Sequence, residues 1–513
     1  MTNHLATALG LADPARHDRR FASMEDGRHY SYAHVEQVSA RFAAALVALG
    51  VTPGDRVAVQ VDKSIEAVML YLGAVRAGAI FLPLNTAYTA AEINYFLGDA
   101  EPALFVCAPA HHDALAPVAA RHNARIETMG VWTPEAADNG SLFGHIPEAA
   151  AFDDIARTAD DLAAILYTSG TTGRSKGAML SHANLASNAE TLAAHWRFTP
   201  EDVLIHALPI FHTHGLFVAT NTALVAGSAL LFRTKFDPVQ TLQDMAKATA
   251  LMGVPTFYTR LLDQEGLTRE ATNAMRLFVS GSAPLLAETH ERWHARTGHA
   301  ILERYGMTET NMNTSNPYEG VRRAGTVGQA LPGVEVIVTD PESGQALPTG
   351  ETGMVEVRGP NVFQGYWRMP EKTAEEKRDN GFFITGDLGR YDEDGYLSIV
   401  GRAKDLVISG GYNVYPKEVE TALDTVEGVV ESAVIGLPHP DFGEGVAAVV
   451  VRSDAALTEE ALVAAVAGDL ARYKQPRRVF FVEALPRNTM GKVQKKDLRQ
   501  TYAEAFQPEA KAG

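Results

Sequence analysis

YTSGTTGRSKG, residues 167–177, follows directly on the apolar run Leu162–Leu166. Glycines and small hydroxyl residues at a strand end leave backbone N–H groups unpaired, and these, with Ser and Thr hydroxyls, can wrap polyphosphate oxygens. Lys176 adds a positive charge. The string is not a Walker loop, which needs Gly at 175 and Ser or Thr at 177; this chain has Ser175 and Gly177.

Upstream of the loop, helices and strands alternate. Ser31 opens a stretch with Val35, Val38, Phe42, Ala45, Leu46 and Leu49 at helical spacing, closed by Gly50. A Pro53-Gly54-Asp55 turn leads into a strand over Arg56–Val61. Ser64 then starts a second helix that ends near Gly78, before the apolar run Ala79–Leu84. This rhythm predicts an α/β fold: a large N-terminal domain of helix-covered, mostly parallel sheets. Downstream, Gly- and Pro-rich short strands between about Gly325 and Val400 predict a small β-barrel-like subdomain. Beyond Gly401 a helix over Pro416–Leu423 and strands over Val429–Leu437 and Val446–Val451 predict a smaller α+β domain. The expected division is 1–400 and 401–513, with the junction at Gly401–Lys404.

The length of 513 residues exceeds what one core usually organises. A formal charge of −17 argues against a nucleic-acid partner, because a phosphate backbone would be repelled. Cys107 is the single cysteine, which excludes an intrachain disulfide and a multi-cysteine zinc site and fits a reducing cytoplasm. The first twenty residues lack a signal-peptide pattern, and no stretch is apolar for 18 residues, so a soluble cytoplasmic protein without membrane contact is expected.

Six further strings follow the loop in order: FHTHG at 211–215, SGSAPL at 280–285, YGMTE at 305–309, TGD at 385–387, GRAKDLVISGGYNVYPKEVE at 401–420 and PRNTMGKVQK at 486–495. With the loop they resemble the signatures of the adenylate-forming superfamily, which comprises acyl-CoA synthetases, luciferases and peptide-synthetase adenylation domains. The resemblance implies that a carboxylate attacks the α-phosphorus of ATP, pyrophosphate leaves, and the acyl-adenylate is passed to the thiol of coenzyme A. By the same resemblance, Thr168, Ser169, Gly170, Thr171, Thr172, Gly173 and Lys176 hold the β and γ phosphates. Glu309 places Mg²⁺, a hard cation suited to carboxylate and phosphate oxygens. Tyr305, in the Tyr305-Gly306-Met307-Thr308 segment, stacks on adenine opposite the Gly281-Ser282-Ala283 backbone. Asp387 and Arg402 meet the ribose. Lys492 bridges the carboxylate and α-phosphate oxygens during adenylate formation. Rotation about a hinge at Lys404 then brings the Ser409-Gly410-Gly411-Tyr412 loop to the thiol tunnel. Lys492 is also the expected target of a lysine acetyltransferase and deacetylase.

The acid itself is suggested by two arginines. Arg304 directly precedes Tyr305, and Arg260 lies in GVPTFYTRLL, a segment that borders the acyl cavity in the family. Guanidiniums beside an acyl pocket imply a second carboxylate on the substrate, and ERYGMTETNM with this pair is similar to the malonyl-CoA synthetase branch, whose members activate malonate and often methylmalonate. Alternatives at this stage are an ion pair of either arginine with a local acid, Glu303 or Glu309, a ligase for another short acid, or a non-catalytic ATP- or acid-binding relative. His212 is expected beside the acyl pocket, with a structural imidazole as its alternative.

Overall fold

The computed structural model describes residues 2–131, 139–168, 175–409, 412–488 and 491–506. Two compact units divide the chain: Met1–Val336 with Val357–Phe383, and Ile337–Glu356 with Ile384–Gly513. This division does not fall at 400/401, because the β-rich segments 337–356 and 384–400 pack with the C-terminal residues.

Two sheets build the first unit. In one, Gly365–Tyr366, Lys176–Ser181, Leu162–Thr168, Ile80–Pro83, Arg56–Gln60, Leu104–Cys107 and Arg125–Thr128 lie side by side in that order. The last five are parallel, and the strand Lys176–Ser181 turns back antiparallel on Leu162–Thr168, with Thr168 opposite Lys176. Helices fall where the sequence places them. Ser31 caps Tyr32–Ala48 by accepting from the His34 N–H, and Ser64 caps Ile65–Arg76 by accepting from the Ala67 N–H. Gly50 and Gly78, just past these ends, take positive φ. The helix Ala90–Ala100 buries Ile93, Phe96 and Leu97 against Ile80, Leu82, Phe105 and Ile165.

The second sheet runs Gln329–Ala330, Asn311–Ser315, Leu302–Met307, Leu277–Ser280, Ala250–Gly253, Val203–His206, Ala229–Phe232, Arg20–Ser23, His29–Ser31. Its central strands are parallel and its two ends antiparallel. Helices Pro255–Leu262 and Ala287–Thr297 cover it, with Tyr258, Leu261 and Trp293 packed on Leu251 and Phe278. Placing apolar runs between two layers of helix removes them from water, at about 25 cal/mol per Å² of apolar surface.

In the second unit, Val429–His439 and Gly443–Arg452 form a long antiparallel pair, and Arg478–Val482 joins the latter in parallel. Helix Pro416–Asp424 packs its Val419 and Leu423 onto Val434 and Val446. Strands Phe383–Tyr391 and Leu397–Arg402 are antiparallel, with Asp387 opposite Arg402. Cys107 is buried and reduced, and burial pushes its thiol up to about 11. Among the described residues no helix is long and apolar enough to cross a membrane.

Candidate active site

The phosphate end of the site is built from Thr168 and Lys176, the last and first residues of adjacent strands. The loop residues Ser169, Gly170, Thr171, Thr172 and Gly173 lie outside the described residues. Thr168 Oγ1 is 3.4 Å from Glu309 Oε1. Glu309 is buried and follows the hairpin strand Leu302–Met307, where Gly306 has no room for a side chain: a Cβ there would sit 1.8 Å from the Asn311 carbonyl oxygen. Met307 and Thr308 complete the turn.

Two residues that no motif flagged join this cluster. Tyr366 donates its hydroxyl to Glu376 Oε2 at 2.6 Å and lies 3.0 Å from Glu309 Oε1, while Lys176 Nζ is 3.0 Å from Glu376 Oε1 and 4.0 Å above the Tyr366 ring. Burial, then the charge of Glu309 and the bond to Glu376, push the phenol far above its usual range, so Tyr366 is a donor at any working pH. Burial works against ionisation of Glu376, but bonds from Tyr366 and Lys176 outweigh it and hold the carboxyl below its usual range. Lys372 adds a second cation 3.1 Å from Glu376. Glu376 lies about two hundred positions from Lys176 in the chain, which is why sequence spacing could not connect them.

Oxygen donors at Glu309 and Thr168 fit a magnesium ion, and among the described residues no group of three or more acidic, His or Cys side chains gathers to hold a metal. That donor set suits a cation completed by nucleotide phosphates and water. When bound there, it would neutralise phosphate charge.

At the acyl end, Arg304 is 4% exposed, and its Nε and Nη2 have no hydrogen-bond partner. Alternation along the strand turns Glu303 the other way, toward His290 at 3.5 Å. The alternative, a local ion pair of Arg304 with Glu303 or Glu309, is not formed. Burial lowers the guanidinium from the ordinary arginine range to about 9. It lies flat on Gly281, where an added Cβ would be 2.4 Å from Arg304 Cζ. Ser282, next in the chain, holds φ 70° and places Oγ 3.1 Å from His214 Nδ1.

The neighbouring histidines divide their roles. His206 is structural: Lys63 donates to its Nδ1 at 3.0 Å, and its Nε2 bonds the Gly215 carbonyl at 2.8 Å. This anchors the start of the π-helical turn His214–Thr220. His212 is half-buried, two positions before His214. Arg260 is a different case. It is exposed on helix Pro255–Leu262, whose buried residues include Tyr258, a phenol that burial keeps neutral and that donates to the Val279 carbonyl at 2.7 Å. Tyr305 is half-buried, at a bulge opposite Thr314, in the same strand as Arg304.

In the second unit, Arg402 Nε is 2.7 Å from Asp387 Oδ1, and Gly386 at φ 73° turns the chain just before that carboxylate. Lys492 has an exposed side chain on a turn in which Asn488 and Lys492 bond each other's backbone. Its ammonium is held below the ordinary lysine range, first by partial removal from water and then by the charge of Arg402, with Asp387 opposing. Lys404 is exposed on a short turn after Arg402. Ser409 is buried, and Tyr412 stacks on Tyr473 at 4.8 Å; Gly410 and Gly411 lie outside the described residues.

The model of AMP-binding enzymes matches residues 12–367, and that of the AMP-binding enzyme C-terminal domain matches 418–492. The chain belongs to the AMP-binding enzyme family. The ATP-bound crystal structure of MatB from Rhodopseudomonas palustris is 59% identical, with a TM-score of 0.95 over 99% of this chain and 100% of that one. A malonate–CoA ligase of Arabidopsis thaliana is 34% identical over 94% of this chain and 86% of its own. A probable CoA ligase of Humulus lupulus is 35% identical over 91% and 82%. In this AMP-binding enzyme, Thr168, Lys176, Glu309 and Arg304 share one unit, as do Asp387, Arg402 and Lys492.

Proposed function

We propose that this AMP-binding enzyme is an ATP-dependent acid–thiol ligase that activates malonate as its acyl-adenylate and transfers the malonyl group to coenzyme A, releasing pyrophosphate and then AMP. One observation carries the choice of acid: Arg304 is buried without an acidic partner. A dry, unpaired guanidinium is costly, and its natural complement is a carboxylate that can accept two parallel bonds. The name of the Arabidopsis relative supports the same acid.

The reaction asks the protein for position and charge. A carboxylate oxygen of malonate attacks the α-phosphorus, and the P–O bond to pyrophosphate breaks. Thr168, the loop from Ser169 to Gly173, and Lys176 hold the leaving phosphates, while Glu309 offers a carboxylate to the nucleotide's cation. Tyr305 and the Gly281–Ala283 backbone take the adenine. Asp387 and Arg402 take the ribose. Lys492 stabilises the charge that builds between carboxylate and phosphate. Arg304 holds the distal carboxylate, with Arg260 and His212 bordering the pocket. In the second half-reaction the CoA thiolate attacks the acyl carbonyl and AMP leaves with the bonding pair; Lys404 is the hinge for the change and Ser409–Tyr412 the loop that guides the thiol. The domains acting in this change are 1–400 and 401–513. The work is that of a cytoplasmic enzyme. Acetylation of the Lys492 amine by a lysine acetyltransferase removes the catalytic charge, and a deacetylase restores it.

Comparing kcat/KM for malonate, methylmalonate and acetate by AMP formation tests the reading. Acetate leaves Arg304 unpaired and should fall behind malonate by about 10⁴ or more, whereas methylmalonate, with one added methyl, should differ by about 10- to 200-fold. Acetate used as well as malonate would overturn the assignment.

A further inference from the structure

Three buried nitrogens without partners belong to the two side chains that lie against the Gly281–Ser282 turn. Two belong to Arg304. The third is Nε2 of His214, a residue 1% exposed whose other ring nitrogen faces Ser282 Oγ at 3.1 Å. Arg304 is close enough that its charge, after burial, is the next cause holding His214 well below its usual basicity. His214 is thus neutral, because burial and then the neighbouring guanidinium both oppose a second cation here. The Tyr258 hydroxyl is already committed to the Val279 carbonyl. His206 contrasts with His214, because both of its ring nitrogens are occupied.

We infer that His214 is a second donor to the distal carboxylate of the acid, and that Ser282 selects the tautomer in which it donates. The inference rests on the dicarboxylate reading above. A neutral imidazole carries one N–H. When the Ser282 hydroxyl donates to Nδ1, that proton sits on Nε2, the sealed position, where only an acceptor can satisfy it. Ser282 keeps φ 70°, a conformation that a non-glycine residue holds only when its surroundings over-determine it. The hydroxyl is therefore aimed rather than free to wander. A carboxylate offers two oxygens with about four acceptor sites, enough for a guanidinium edge and an imidazole N–H together. A monocarboxylic acid uses its one carboxylate at the reacting end and presents hydrocarbon here.

The experiment measures kcat/KM for malonate and for acetate in the wild type, His214→Leu, His214→Gln and Ser282→Ala, with the KM for ATP as a control on folding. His214→Leu should lower the malonate-to-acetate ratio by about 10- to 100-fold, the scale for one hydrogen bond to a charged group. His214→Gln, whose amide nitrogen can stand in for Nε2, should keep the ratio within about fivefold, and Ser282→Ala should lower it by about tenfold as the tautomer is released. Equal loss for both acids in His214→Leu, or loss in His214→Gln as large as in His214→Leu, overturns the donor role. A wild type with no preference for malonate would instead bring down the dicarboxylate reading itself; a wild type that prefers malonate beside a His214→Leu variant with the same ratio removes only this inference.

Discussion

Replacing Arg304 with Met should make the unliganded protein more stable while depriving it of its preferred acid. The side chain is 4% exposed with two nitrogens unpartnered, and burial brings its pKa from the ordinary arginine range down to about 9. That displacement corresponds to an upper figure of about 5 kcal/mol set against the charged form in the folded state. Exchanging buried charge for apolar side chains of similar volume gains about 1–4 kcal/mol in practice, and Met keeps the unbranched shape that fills the space over Gly281. Taking about 2 kcal/mol, and about 2.1 cal/mol/K of unfolding entropy per residue over a body of several hundred residues, Tm should rise by about 2–3 °C. The sign with pH follows from the depressed pKa: the cost is fully present below about 9 and is relieved as pH rises from there toward the ordinary arginine range. Calorimetry between pH 7 and 10 should therefore show the variant ahead at neutral pH and the gap closing above 9. Malonate at about a hundred times its Kd should add about 2.7 kcal/mol to the wild type and little to the variant. A variant less stable than the wild type at pH 7.5 without malonate would refute the account of Arg304 as an unpaired buried charge.

Gly281→Ala should act on the same group without touching it chemically: a Cβ 2.4 Å from Arg304 Cζ forces the guanidinium off its seat, so kcat/KM for malonate should fall at least about tenfold, and an unchanged value would show that Arg304 works from another position. Lys492→Ala should slow adenylate formation, read as pyrophosphate release, by at least about 10²-fold while thioester formation from supplied malonyl-adenylate survives; equal loss in both steps would remove Lys492 from its assigned role.

The elements that place the site were readable because their signals are local. Ser31 and Ser64 cap the helices expected of them, and the apolar run after Leu162 is a strand that delivers Thr168 to its end. The lone charge on Arg304 was legible only in part. Its place directly before Tyr305 was plain from the motif, but whether Glu303 pairs with it depends on which face each side chain takes, and the strand separates them. Arg260 was legible as a position on a helical segment, and the structure leaves its side chain exposed there, two residues from the buried Tyr258. Glu376 and Tyr366 were illegible because their partners Lys176 and Glu309 come from distant strands, and no short pattern announces an ion pair between residues so far apart. His214 could have been singled out among the histidines only by knowing that Lys63 and Gly215 had already used up His206.

The isolation of Arg304 also bears on where selectivity comes from. An exposed arginine would shed its water when malonate arrives, and that desolvation would subtract from the affinity for malonate. Here the guanidinium is already dry in the folded protein, so its desolvation is a cost of folding and not of binding. The incoming carboxylate brings only its own hydration loss and gains a preorganised partner. For acetate the same arrangement works in reverse: the partner cannot be satisfied, and closing the pocket over a methyl group leaves the charge as unpaired as before. Discrimination then grows with the dryness of Arg304, and so does the stability forgone. Gly281 sets both, because only a residue without a side chain lets the guanidinium lie against the backbone, where protein atoms on one face and Tyr258 nearby keep water away. A single chain position thus couples the stability of the body to the acid it accepts, and variants that relax one should relax the other in proportion.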